Sequence, residues 1–119
     1  MNTSDLEQIV IDALEDVKAR DIEVIDTSRL TSQFERIIVA SGDSCRQTRA
    51  LARNVLDRVH TVGVKPLGIE GEQNGEWVLV DLGEIVVHIM QPAIRAYYRL
   101  EELWTIALPH RATTNAPGA

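Results

Sequence analysis

Leu6, Ile9, Val10, Ala13, Leu14 and Val17 recur at three- and four-residue intervals, the spacing that lines one face of a helix. Ser4-Asp5-Leu6-Glu7 fits the S-x-x-E box that satisfies free amides at a helix start, so a first helix is expected at about residues 5 to 19. Ile- and Val-rich runs at Asp21 to Asp26 and Phe34 to Ala40 read as strands, with a loop between them. Ser41-Gly42-Asp43 stops the second strand. A further capping box at Ser44 to Gln47 opens a helix with a stripe of Leu51, Val55, Val59 and Val62, flanked by Thr48, Ala52 and Leu56 and closed by Gly63. Lys65 to Glu70 reads as an edge strand because Pro66 lacks an amide donor, and Asn74-Gly75 predicts a tight hairpin turn. Glu76 to Leu82 and Glu84 to Met90 are two more strands, joined at Leu82-Gly83. Pro92 opens a short helix carrying Ile94, Tyr97, Tyr98, Leu100 and Leu103. This order predicts an α/β (α+β) domain, a five-stranded mixed sheet packed with helices, over residues 1–105. Residues 106–119, poor in side chains to bury, are expected to form a flexible polar tail.

Alternation in the last two strands sorts their residues by face. With Leu82 and Gly83 as the turn, Asp81 opposes Glu84, Val80 opposes Ile85, Leu79 opposes Val86, Val78 opposes Val87, and Trp77 opposes His88. One face then carries Val78, Val80, Ile85, Val87 and Ile89, uniformly apolar. The other carries Trp77, Leu79, Asp81, Glu84, Val86, His88 and Met90, apolar in the middle and charged at the margin. An aromatic anchor among aliphatics with a polar rim is the make-up of a protein-binding patch. The competing reading is that Ile94 to Trp104 folds over this face and makes Trp77 a core residue. Trp77, Tyr97, Tyr98 and Trp104 are four of only five aromatic residues, so either reading gathers the rings together.

Composition narrows the choices. At 119 residues, 45% apolar and 25% charged, the chain is one average globular domain. It lacks a run long enough to span a bilayer and a basic-then-apolar leader, which predicts a soluble, cytoplasmic protein with no membrane partner. Twelve basic against eighteen acidic side chains leave a net charge of −6, which disfavours nucleic acid as the main ligand. Only residues 43–63 are basic, through Arg46, Arg49, Arg53 and Arg58; the first three share one side of a helix, either a solvated face or a contact for RNA phosphate. Cys45, the single cysteine, is expected to be a small buried apolar residue.

No catalytic constellation emerges. His88 has no second histidine at ligand spacing and reads as a packed polar residue, so no metal and no cofactor are expected. Ser41-Gly42-Asp43-Ser44, between a strand and a helix, resembles the Gly-Ser element of nucleotidyltransferases, which also need paired carboxylates to hold divalent metal. The candidates, Asp21 with Glu23 and Asp81 with Glu84, do not follow that element at the required spacing. A metal-dependent nucleotidyltransferase built on Ser44 and these acids is the alternative, and a non-enzyme the principal expectation.

The runs Pro66-Leu67-Gly68-Ile69-Glu70-Gly71 and Glu76-Trp77-Val78-Leu79-Val80-Asp81-Leu82-Gly83-Glu84-Ile85-Val86-Val87-His88-Ile89-Met90, followed by Tyr97-Tyr98 and Leu100-Glu101-Glu102-Leu103-Trp104, resemble the ribosome silencing factor (iojap) family. The resemblance runs from about Leu6 to Trp104. It implies a degenerate nucleotidyltransferase-like core without catalytic carboxylates. It also implies a factor that binds the large ribosomal subunit through ribosomal protein fourteen, blocks joining of the small subunit and represses translation under nutrient limitation. A homodimer when free is implied as well. Carried over by position, the partner-binding residues are Trp77, Asp81, Leu82, Gly83, Glu84, His88 and Met90, with Tyr97 and Tyr98 adjoining.

Overall fold

Helices α1 (Thr3–Asp16) and α2 (Cys45–Thr61) pack together on one side of a five-stranded sheet in the computed structural model, which describes residues 1–100 and 102. The strands are β1 (Arg20–Asp26), β2 (Arg36–Ser41), β3 (Gly68–Glu70), β4 (Trp77–Asp81) and β5 (Ile85–Met90), in the order β1-β2-β5-β4-β3. Only β2 and β5 pair in parallel, so the sheet is mixed as expected. Those two strands, Arg-Ile-Ile-Val-Ala-Ser and Ile-Val-Val-His-Ile-Met, are the near-continuous apolar runs, and continuous runs suit central strands covered on both faces. A short helix α3 (Pro92–Tyr98) follows, with Pro92 at its first turn. Leu103, Trp104 and the tail at 106–119 lie outside the described residues. Among the described residues no helix is long and apolar enough to cross a membrane.

The main core joins α1, α2 and the helix side of the sheet: Val10, Leu14, Leu51, Val55, Val78, Val80, Ile85, Val87 and Ile89 are all fully buried. Alternation therefore assigned the inner face of the β4–β5 hairpin correctly.

Several local expectations shift. Helix α1 begins two residues early, because the cap is Asn2, whose Oδ1 accepts from the Asp5 amide at 2.9 Å, and not Ser4. It ends before Lys18, which turns left-handed at φ 63°. Ser44 does cap α2, its hydroxyl accepting from the Gln47 amide at 3.1 Å. Asn74-Gly75 is not a two-residue turn. Residues 71–76 form a wider loop, held by Arg49 donating to the carbonyls of Glu72 (2.8 Å) and Gln73 (2.6 Å) and by Thr48 donating to that of Gly75.

The β4–β5 turn is Gly83-Glu84, not Leu82-Gly83. The observed pairs are Trp77 with Met90, Leu79 with His88 and Asp81 with Val86, and the Leu82 amide donates to the Ile85 carbonyl at 2.9 Å. Gly83 carries the positive φ, 91°, that the first position of a primed hairpin turn demands. Each partner is displaced by two residues, which preserves side-chain parity, so the faces stand although the pairing was wrong.

Candidate functional site

The sheet face turned away from α1 and α2 carries Trp77, Leu79 and Asp81 from β4, Val86, His88 and Met90 from β5, and Ile37, Val39 and Ser41 from β2. At one end of this face Ile94 and Leu100 pack against a second apolar cluster of Ile37, Val39 and Met90. The expected cover of this face by the segment after Pro92 thus holds at the Ile94 and Leu100 end. Met90 is fully buried and supports the face from beneath rather than lying on its surface. Trp77, at the margin of the cluster, is only half-buried.

Around that indole the rings are ordered. Trp77 Nε1 donates to Nδ1 of His88 at 3.0 Å, and the Trp77 ring lies 5.0 Å from the Tyr98 ring at 48°. Tyr97 meets Tyr98 edge to face at 4.9 Å. Indole N–H can only donate, so Nδ1 is the acceptor and the imidazole proton sits on Nε2. Burial pushes the His88 pKa down to about 4, keeping the ring neutral at physiological pH. Tyr97 is 79% and Tyr98 52% exposed, so two rings project beside a half-buried third.

The other residues singled out by resemblance are placed less uniformly. Asp81 Oδ1 accepts from the Gly83 amide at 2.9 Å, which ties the carboxylate to the turn. Leu82, expected in an exposed turn, is 6% exposed and belongs to the helix-side core. Glu84, on the turn, accepts from the Thr3 hydroxyl at 2.7 Å and so leans toward α1.

Sequence reasoning missed Arg95. It is 8% exposed on α3, and its Nη1 donates to the Asp21 carbonyl (2.6 Å) and the Ser41 hydroxyl (2.9 Å), while Nη2 stands 3.7 Å from Glu23. Asp21 adopts φ 53° at an irregularity in the β1–β2 pairing. Through Arg95 the helix that bears Tyr97 and Tyr98 is fastened to β1 and β2. The available signal was weak: one arginine on a short apolar helix.

The groups named for metal-dependent chemistry are committed elsewhere. Ser44 caps α2, Ser41 serves Arg95, Asp43 pairs with Arg20, and Glu23 faces Arg95. Among the described residues no group of three or more His, Cys, Asp or Glu is placed to hold a metal ion. The arginine row is exposed throughout, and Arg49 and Arg53 also hold the 71–76 loop, Arg53 through Glu72. Cys45 is half-buried rather than buried, and its Sγ accepts from Nε2 of the Gln91 side chain at 3.1 Å.

Residues 1–117 match the family model "Ribosomal silencing factor during starvation". A protein named ribosomal silencing factor RsfS from Chromobacterium violaceum is 52% identical over 104 residues, 87% of this chain and 85% of that one. A crystal structure of a protein from the same organism superposes with a TM-score of 0.87 at 49% identity, covering 98% of this chain and 97% of that one. A mouse protein named mitochondrial assembly of ribosomal large subunit protein 1 is 30% identical over 101 residues, 82% of this chain but 44% of its own length. With nearly the whole chain matched, and the fold matched alongside it, this protein belongs to the RsfS family of ribosomal silencing factors.

Proposed function

We propose that the chain silences ribosomes without catalysis, by docking the sheet face around Trp77 on the large ribosomal subunit, at ribosomal protein fourteen, and so blocking the small subunit. The observation that carries this reading is the half-buried Trp77 held between His88 and Tyr98 at the edge of an otherwise sealed apolar cluster. A rigid aromatic anchor beside aliphatic neighbours excludes water, and the acidic stretch 64–91, with a net charge of −4, suits a basic partner. The name of the mouse relative, which refers to assembly of a large subunit, points to the same half of the ribosome. Steric exclusion needs no bond chemistry: a body of this size seated at the joining surface competes with the small subunit for space. The factor works in the cytoplasm under nutrient limitation, and the free protein is a homodimer that hides the same face. Arg46, exposed and not among the residues that hold the 71–76 loop, is the member of its row that makes a peripheral contact to ribosomal RNA.

Sucrose-gradient sedimentation of purified subunits with and without the protein tests this directly. Co-migration with large subunits and a smaller peak of joined ribosomes is the expected result. Normal joining at saturating protein would refute it.

A further inference from the structure

At the end of the β4–β5 hairpin away from α3, a cleft of about 400 Å³ opens between the start of α1, the segment before β2 and the Gly83-Glu84 turn. Its apolar wall includes Leu6, Phe34 and Leu82. Beside it stands Leu67, 73% exposed, one of the most exposed large apolar side chains among the described residues; a Cβ placed on Gly83 would lie 3.7 Å from its Cδ1. The rim carries Glu35 and Glu84, which converge on one donor, the Thr3 hydroxyl, at 3.1 and 2.7 Å. A hydroxyl has a single proton, so it satisfies one carboxylate at a time and leaves two like charges next to an apolar wall. That arrangement is complementary to a side chain pair of opposite character, one apolar and one cationic.

We propose that this cleft is a second docking point for the ribosomal partner, receiving a protein segment in which an aliphatic or aromatic residue adjoins a lysine or arginine. The apolar side chain fills the cleft against Leu6, Phe34 and Leu82 under the cover of Leu67, and the cation meets Glu35 and Glu84. The inference rests on the proposed binding to the large subunit. Glu84 lies on the turn joining the two strands that carry Trp77 and His88, and because Leu6 and Leu82 belong to the helix side of the sheet, the partner reaches the cleft by passing around that turn. Proteins that lie against nucleic acid are basic, whereas this chain has a net charge of −6, so the partner supplies the missing sign.

The test is affinity of the full chain for purified large subunits, compared among wild type, Trp77→Ala, Leu67→Glu and Glu35→Lys, with the melting temperature of each. Leu67 and Glu35 are exposed, so both variants are expected to fold; should Leu67→Glu melt early, Leu67→Ser reads the same contact. The expected result is affinity about tenfold weaker for Leu67→Glu, and association about fivefold slower for Glu35→Lys, with less sensitivity to salt. Unchanged affinity in both, with Trp77→Ala defective, overturns the cleft and leaves the sheet-face reading intact. Failure of the wild type to bind large subunits removes the sheet-face reading and the occupant of the cleft with it. If Leu67→Glu instead dissolves a dimer of the free chain without altering subunit affinity, the occupant is a second copy and the proposal falls.

Discussion

The guanidinium of Arg95 donates to the main-chain carbonyl of Asp21 at 2.6 Å, joining residues 74 positions apart. This bond, with that to Ser41, the ion pair to Glu23 and the packing of Ile94 and Leu100, holds α3 on the sheet with Tyr98 against Trp77. Replacing Arg95 by Met removes a buried charge whose acceptors then lack a donor. The expected cost is about 2 to 3 kcal/mol. Denaturant unfolding measures it, and a changed near-ultraviolet aromatic spectrum in the folded variant reports release of the helix.

Trp77→Ala is expected to weaken binding to the large subunit by about 30-fold, the equivalent of about 2 kcal/mol for an interface anchor. Half-burial also predicts some loss of stability, so affinity and melting temperature are to be measured on the same sample. A variant that melts early yet binds normally would make this indole a packing residue only.

His88 predicts an acid-sensitive stability. Its folded pKa, about 4, lies below the ordinary value of 6.5, because burial disfavours the charged ring. The unfolded chain therefore binds the proton more readily, and stability falls as pH drops from about 6.5 to 4, by up to about 3 kcal/mol. Above 6.5 this contribution is flat. His88→Gln, whose side-chain oxygen can still accept from the indole, removes the titration, so unfolding free energies of the two proteins should converge toward pH 4.

Gly71 is expected to tolerate no side chain. Its φ is 80°, and an added Cβ would lie 2.0 Å from the carbonyl oxygen of Trp77. Gly71→Ala should cost on the order of 2 to 4 kcal/mol or push Trp77 out of place. Thermal melts and indole fluorescence distinguish these outcomes.

Much of this organisation is legible in the chain. Period-two alternation named the inner residues of the hairpin, and even a misplaced turn left them on the right side, since the error was two residues and not one. Capping chemistry located Ser44, but at the N-terminus the cap was read at Ser4, whereas Asn2 holds that place. Asn74-Gly75 misled because its geometry is decided from outside, by Thr48 and Arg49 reaching over from α2. The division of the Trp77 face between packing and exposure depends on where α3 comes to rest. That depends on Arg95 reaching Asp21 and Ser41 as well as on Ile94 and Leu100, and no local pattern links residues so far apart.

The parallel pairing of β2 with β5 has a consequence for synthesis. Arg36–Ser41 can pair with β1 early but finds its second neighbour only after Ile85–Met90 has been made, and strands so distant in sequence close slowly. A nascent chain arrested before β5 thus carries an unzipped β2 border and lacks the His88 half of the Trp77 face. The sheet face that carries Trp77 and His88 is therefore completed only once β5 has been made.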